Sequence, residues 1–193
     1  MKRSYLFLAP GFEETEAISV VDIMRRAGLD IKTVSITGEK TVTGAHGVPV
    51  TADLLFEDED MSHASWLIVP GGMPGSTNLA AFEPLCELLK EQYRRGGNIA
   101  GICAAPSVVL APLGILRDRK ATCYPGFEDA CREGGAEMQD TPVVRLEKLV
   151  TANGPAAAMR FALAIVANEL GDGVAQEVGG GLLYYPRHVN LYL

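Results

Sequence analysis

The chain has 193 residues, 48% of them apolar, which suffices for one domain with a sizeable core and is short for two. A net charge of -7 and a pI near 5.0 argue against nucleic acid or an anionic membrane as the main partner, because both reward basic patches. The opening MKRSYLFLAPGFEE starts like a signal peptide, but its apolar run is too short, and Gly11, Glu13 and Glu14 end it. No stretch approaches the roughly 20 apolar residues of a membrane span. A cytoplasmic protein is expected, with Cys86, Cys103, Cys123 and Cys131 as thiols whose spacing does not suit zinc.

Residues 5–9 read as a buried strand, and Gly11 turns the chain into a helix. Thr15, Ser19, Asp22 and Arg26 give that helix a polar stripe, and Gly28 caps its end. A second strand is predicted over 31–36 and a hairpin over 41–51, around Gly44 and Gly47. A third buried strand, 66–69, stops at Pro70, Gly71 and Gly72. Helical patterns follow over 76–81 and 83–95, the second ended by Gly96 and Gly97.

Residues 98–102 form a strand that runs into Cys103, and a short helix continues to about Leu113. Short strands near 121–124 and 143–151 precede a long amphipathic helix over 155–170, with Pro155 in its first turn. Residues 182–193 are apolar and aromatic without a clean period and are left unassigned. Alternating strands and helices predict a single α/β domain over 1–193, its mostly parallel sheet covered by helices on both faces. Sites in such sheets lie at the carboxyl ends of the strands, which selects residues 11–16, 71–75 and 102–106.

Cys103 sits where a buried strand meets a helix that begins Ala104-Ala105-Pro106. A nucleophile at such a turn is exposed at the top of the sheet, and a helix N-terminus lowers a thiol's pKa. A buried core cysteine is the competing reading. Glu16 continues at helical spacing into Val20, Ile23 and Ala27, so its carboxyl faces an apolar stripe. Desolvation there raises its pKa and lets it stay protonated beside a thiolate. Glu13 and Glu14 read as acids decorating a helix N-terminus. Pro70-Gly71-Gly72-Met73-Pro74-Gly75 fits either an amide-lined oxyanion site or an ordinary turn, and lacks the features of a phosphate loop or dinucleotide fingerprint.

Taken in order, APGFEETEA (9–17), DIMRRAGL (22–29), IVPGGMPG (68–75), GICAAP (101–106) and NGPAAAMRFALAIV (153–166) resemble the ThiJ/PfpI superfamily over nearly the whole chain. The branch that matches contains the parkinsonism-associated protein deglycase and bacterial YajL. The resemblance implies a flavodoxin-like sandwich that forms a homodimer. It implies Cys103 as nucleophile, Glu16 as the protonated carboxyl beside it, and the Gly72 and Ala104 amides as an oxyanion pocket. No cofactor is implied. The activities implied are glyoxalase or deglycase chemistry on a small aldehyde or a glycated protein, as part of carbonyl and oxidative stress defence.

Three positions depart from the family pattern: Tyr124 replaces a histidine, and His46 and Asn153 replace arginines at the pocket. Tyr124, His46 and Asn153 are therefore expected to line the substrate pocket. Cys86 reads as core, Cys131 as incidental, and Cys123 as facing away from Tyr124, where a resolving role is open. His63 and His188 are isolated, and no carboxylate–histidine cluster suggests a metal. The alternative to an enzyme is a redox sensor or chaperone that uses an oxidisable Cys103. A cysteine peptidase or amidase is disfavoured, because that branch carries a histidine where this chain has Ala104.

Overall fold

In the computed structural model, which describes residues 2–185, strands and helices alternate as the sequence pattern requires. Strand β1 (Ser4–Leu8) leads into helix α1 (Glu14–Arg26), then β2 (Ile31–Ser35) and a hairpin of β3 (Thr41–Thr43) and β4 (Pro49–Thr51). The edge strand β5 (Leu54–Leu55) precedes β6 (Trp66–Val69), helices α2 (Gly75–Ala81) and α3 (Glu83–Arg94), and β7 (Asn98–Ile102). Next come β8 (Lys120–Ala121), α4 (Glu128–Glu133) and β9 (Glu137–Met138). Strands β10 (Val143–Arg145) and β11 (Leu149–Ala152) precede α5 (Ala158–Leu170) and α6 (Asp172–Gly181).

Seven strands make one sheet in the order β10-β11-β7-β6-β1-β2-β5, parallel throughout except where β10 meets β11. Side chains alternate between its faces, so each strand feeds two cores. Leu6 and Leu8 of β1, Trp66 and Ile68 of β6, and Ala100 and Ile102 of β7 pack with Val20, Ile23, Phe161 and Ile165 of α1 and α5. Tyr5, Phe7, Leu67, Val69 and Ile99 pack on the other face with Leu79, Leu85 and Leu89 of α2 and α3. Burying Phe7, Phe12 and Phe161 completely contributes about 1.5–3 kcal/mol each. The Trp66 indole N–H donates to Glu169 Oε2 at 2.9 Å, so its polar atom is not left unpaired in the core.

The chain leaves β1 for β2 on one side and returns to β6 on the other. Strand order therefore reverses beside β1, and the crevice opens where β1, β6 and β7 end. Gly11, Gly71 and Cys103 are brought to that crevice.

Some elements differ from the sequence expectation. The segment after Cys103 is a wide π turn, Pro106–Leu110, with the Ala111 N–H bonded to the Pro106 carbonyl at 2.9 Å. The strand expected near 121–124 stops at Ala121, because the Thr122 N–H turns to Thr151 Oγ1 at 3.0 Å and the Tyr124 N–H to the Cys103 carbonyl at 2.9 Å. The 143–151 segment folds back into two antiparallel strands. Helix α6, with Gly173, Gly179, Gly180 and Gly181, has little helix propensity, and it rests Ala175 against the core. His188 and the apolar tail from 186 lie outside the described residues. Among the described residues no helix is long and apolar enough to cross a membrane.

Candidate active site

Cys103 follows β7 directly and holds φ at 64°, a left-handed conformation that an L-residue adopts at a cost of about 1–2 kcal/mol. Two backbone bonds hold it there: its N–H donates to the Ala152 carbonyl at 2.8 Å, and its carbonyl accepts from Tyr124 at 2.9 Å. The side chain is thereby turned out of the sheet toward the ends of β1 and β6. The Gly72 and Ala104 amides lie on the sulfur's side of the crevice and favour the anion. Only 8% of the residue is exposed, so its surroundings select what reaches it.

Glu16 arrives from α1. The Glu13 side chain caps that helix by accepting the Glu16 N–H at 2.7 Å, and Glu16 then begins a buried stripe with Val20 and Ile23. Its Oε2 accepts the Gly71 N–H at 2.7 Å, while Oε1 is buried without a hydrogen-bond partner. A carboxyl so placed is better neutral: burial raises Glu16 from 4.5 to about 7, although the Gly71 amide opposes it. Gly71 is the spacer between the two groups. A Cβ on it would stand 2.5 Å from Cys103 Cβ and 2.7 Å from Glu16 Oε2.

The sulfur does not behave as an isolated thiol at a helix end. Burial and then the Glu16 charge push Cys103 up to about 12, against the two amides, where the turn alone suggests a lowered value. The physical reason is proximity of two acids in one dry site, which holds one negative charge near neutral pH. A thiolate there requires Glu16 to keep the proton, the reverse of the order in which burial ranks the two groups.

Of the other expected pocket residues, Tyr124 bonds Cys103 through its backbone N–H, while the contacts of Asn153 and His46 are with other residues. Tyr124 is 44% exposed, with its ring over Gly154 and edge-on to Phe127 at 6.2 Å between centroids. Asn153 follows Ala152, the residue that anchors Cys103, and donates its N–H to the Pro142 carbonyl at 3.0 Å. It shares a cleft of about 240 Å³ with Cys123, Pro125 and Thr141. His46, on the β3–β4 hairpin, bonds Glu14 Oε2 through Nδ1 at 2.8 Å. Sequence spacing gave no sign of this carboxylate–histidine contact, since 32 residues separate the partners and only the folded hairpin closes the gap.

The DJ-1/PfpI family pattern matches residues 2–168. The chain belongs to the DJ-1/PfpI family. DJ-1 homolog B of Arabidopsis thaliana is 35% identical over 188 residues, covering 96% of this chain, although the chain spans only 42% of that relative's length. A glutathione-independent glyoxalase of Caenorhabditis elegans, DJR-1.2, is 37% identical over 167 residues, 86% of this chain and 88% of the relative. The solved structure of oxidized DJ-1 from Toxoplasma gondii superposes with a TM-score of 0.90 at 32% identity, covering 96% of this chain and 100% of that one.

Within this DJ-1/PfpI fold the remaining cysteines stand apart from the Cys103–Glu16 pair. Cys131 is wholly buried, not incidental, because α4 turns it inward against Cys123. Their proximity lowers Cys131 and raises Cys123, whose thiol donates to the Tyr124 carbonyl at 3.5 Å. Cys86 is half-buried rather than core, with its thiol donating to the Ala80 carbonyl at 3.3 Å. A cavity of about 690 Å³ lies between β10, α5 and Tyr184–Tyr185, away from Cys103.

Proposed function

We propose that the chain converts small reactive dicarbonyls such as methylglyoxal into hydroxy acids, with Cys103 as nucleophile and Glu16 as proton carrier. The observation that supports it most is the contact geometry of the pair: only the missing side chain of Gly71 separates them, since a Cβ there would stand 2.5 Å from Cys103 Cβ and 2.7 Å from Glu16 Oε2. The similarity to a relative named as a glutathione-independent glyoxalase points the same way.

The Cys103 thiolate adds to the aldehyde carbon, a C–S bond forms, and the carbonyl π pair moves to oxygen. Glu16 gives its proton to that oxygen, producing a hemithioacetal. The Gly72 and Ala104 amides, which favour the anion at the sulfur, would also stabilise charge that develops beside it. Glu16, now a carboxylate, removes the proton on the former aldehyde carbon, and the neighbouring carbon is reprotonated as the ketone becomes an alcohol. The product of that isomerisation is a thioester. Water cleaves it, releasing lactate and restoring the thiol, so methylglyoxal and one water account for every atom. The same nucleophile would act on an early glycation adduct at its carbinol carbon, forming the C–S bond as the bond to the protein's amine or thiol breaks and that group leaves protonated.

Consumption of methylglyoxal by the purified chain without glutathione tests this reading. Many equivalents of lactate per chain are expected. Uptake that stops at one equivalent would instead favour a thiolate that senses or scavenges.

A further inference from the structure

We propose that Glu13, Glu14 and His46 form a binding site for one divalent transition-metal ion of the zinc class, at the start of α1 and apart from the Cys103–Glu16 pair. Each residue offers one donor atom to the cluster: a Glu13 oxygen, a Glu14 oxygen and a His46 ring nitrogen all lie within 4.8 Å of one another. His46 Nδ1 is 2.8 Å from Glu14 Oε2 and 4.0 Å from Glu13 Oε1. Zinc bonded to such donors at about 2.0–2.2 Å needs them roughly 3.3 Å apart, which small rotations of an exposed imidazole supply. Two carboxylates and one imidazole are a donor set that suits zinc and its neighbours better than calcium, which prefers six or more oxygens.

The fold orients these ligands as outer hydrogen bonds orient metal ligands elsewhere. Glu13 uses Oε2 to accept the Glu16 N–H at 2.7 Å, and leaves Oε1 free on a residue only 8% exposed. Glu14 uses Oε1 to accept the His46 N–H at 2.7 Å and leaves Oε2 to the ring. The hairpin that carries His46 is itself pinned, with the Ala45 N–H on the Phe12 carbonyl at 2.8 Å and the Gly11 N–H on the Thr43 carbonyl at 2.9 Å. Gly44 permits this approach, because a Cβ there would fall on the Glu14 carboxyl. A buried carboxylate with a free oxygen, a second carboxylate and a ring nitrogen thus converge, while the arginines of α1 stand in its last turn and pair there, Arg25 with Asp53 and Arg26 with Asp22.

The chain's own chemistry gives a clear test, since it holds only three histidines and its thiols report themselves in cobalt spectra. The full chain, kept reduced, is titrated with Zn2+ by calorimetry, and with Co2+ by absorption. One ion per chain is expected, with no thiolate-to-cobalt charge-transfer band, and with a single imidazole shifting in the NMR spectrum. His46→Arg keeps a cation beside the two glutamates but removes the ligand, and is expected to weaken binding at least about 10-fold. The side chain is mostly exposed, so this variant should fold; Glu13→Gln serves as the second, with a similar loss. Absence of saturable Zn2+ binding would overturn the proposal. So would a thiolate band that survives His46→Arg, or a shift confined to His63 or His188.

Discussion

Cys103→Ser is expected to lower methylglyoxal turnover by at least about 1,000-fold while leaving the fold intact. The exchange is nearly isosteric, and the φ of 64° is a property of the turn, so the hydroxyl would sit where the sulfur does. What changes is ionisation. A thiol can lose its proton to a neighbour such as Glu16, whose own value lies at about 7. An alcohol cannot, and nothing else nearby takes the proton in its place. His46 is engaged with Glu14, and His63 lies near Asn98, at the opposite end of β7 from Cys103. Steady-state lactate formation by the two proteins, with circular dichroism to confirm folding, checks this. Comparable turnover in the variant would remove Cys103 from the mechanism.

Gly72→Ala is expected to destabilise the protein by about 3–5 kcal/mol, a fall in Tm of roughly 10 °C or more. Gly72 holds φ at 91°, where a side chain is strained, and an added Cβ would stand 2.4 Å from the Gly11 carbonyl oxygen. It would also stand 2.5 Å from the Glu13 nitrogen and 2.7 Å from the Phe12 carbonyl carbon. These are backbone atoms of the crevice wall and cannot rotate away. Any surviving activity should fall too, because the Gly72 amide that faces the sulfur moves with its residue. Gly96→Ala is the control: φ is 68° there, but nothing stands within 4 Å of the new methyl, so about 1–2 kcal/mol is expected. Equal melting curves for the two variants would show that the crevice does not constrain Gly72.

Both arguments depend on the meeting of three loops, and most of that was legible in the sequence. The strands over 66–69 and 98–102 have the bounds that their apolar runs and flanking glycines indicate. Glu16 was legible because a carboxyl in register with Val20 and Ile23 has to face the core. The meeting of Cys103 with Glu16 is a long-range fact, carried by topology and by the Gly71 spacer rather than by any local pattern.

What stayed hidden has the same cause. His46 carries no periodic signal, and its place beside Glu14 follows from a hairpin pressed down through Gly44. Cys131 looks polar in its surroundings, yet α4 is short and its one inward side chain fills a gap beside Cys123. Helix α6 forms against its own propensity because α5 offers it an apolar surface. Two influences on the sulfur besides the turn, burial and a carboxylate from another element, also arise from topology and leave no local signal.

The central claim is that Cys103 carries the charge while Glu16 keeps the proton, and the pH dependence of Cys103 alkylation by iodoacetamide measures it. In the wild-type chain the rate at Cys103, followed by peptide mass spectrometry, is expected to rise through a midpoint far below about 12, the value that burial and an ionised Glu16 together impose on the sulfur. Glu16→Gln should move that midpoint upward by about one unit, since an amide donates more weakly to a thiolate than a carboxyl does. A wild-type rate that stays low until about pH 12 would contradict the claim, because the charge would then rest on Glu16 and the sulfur would remain a thiol.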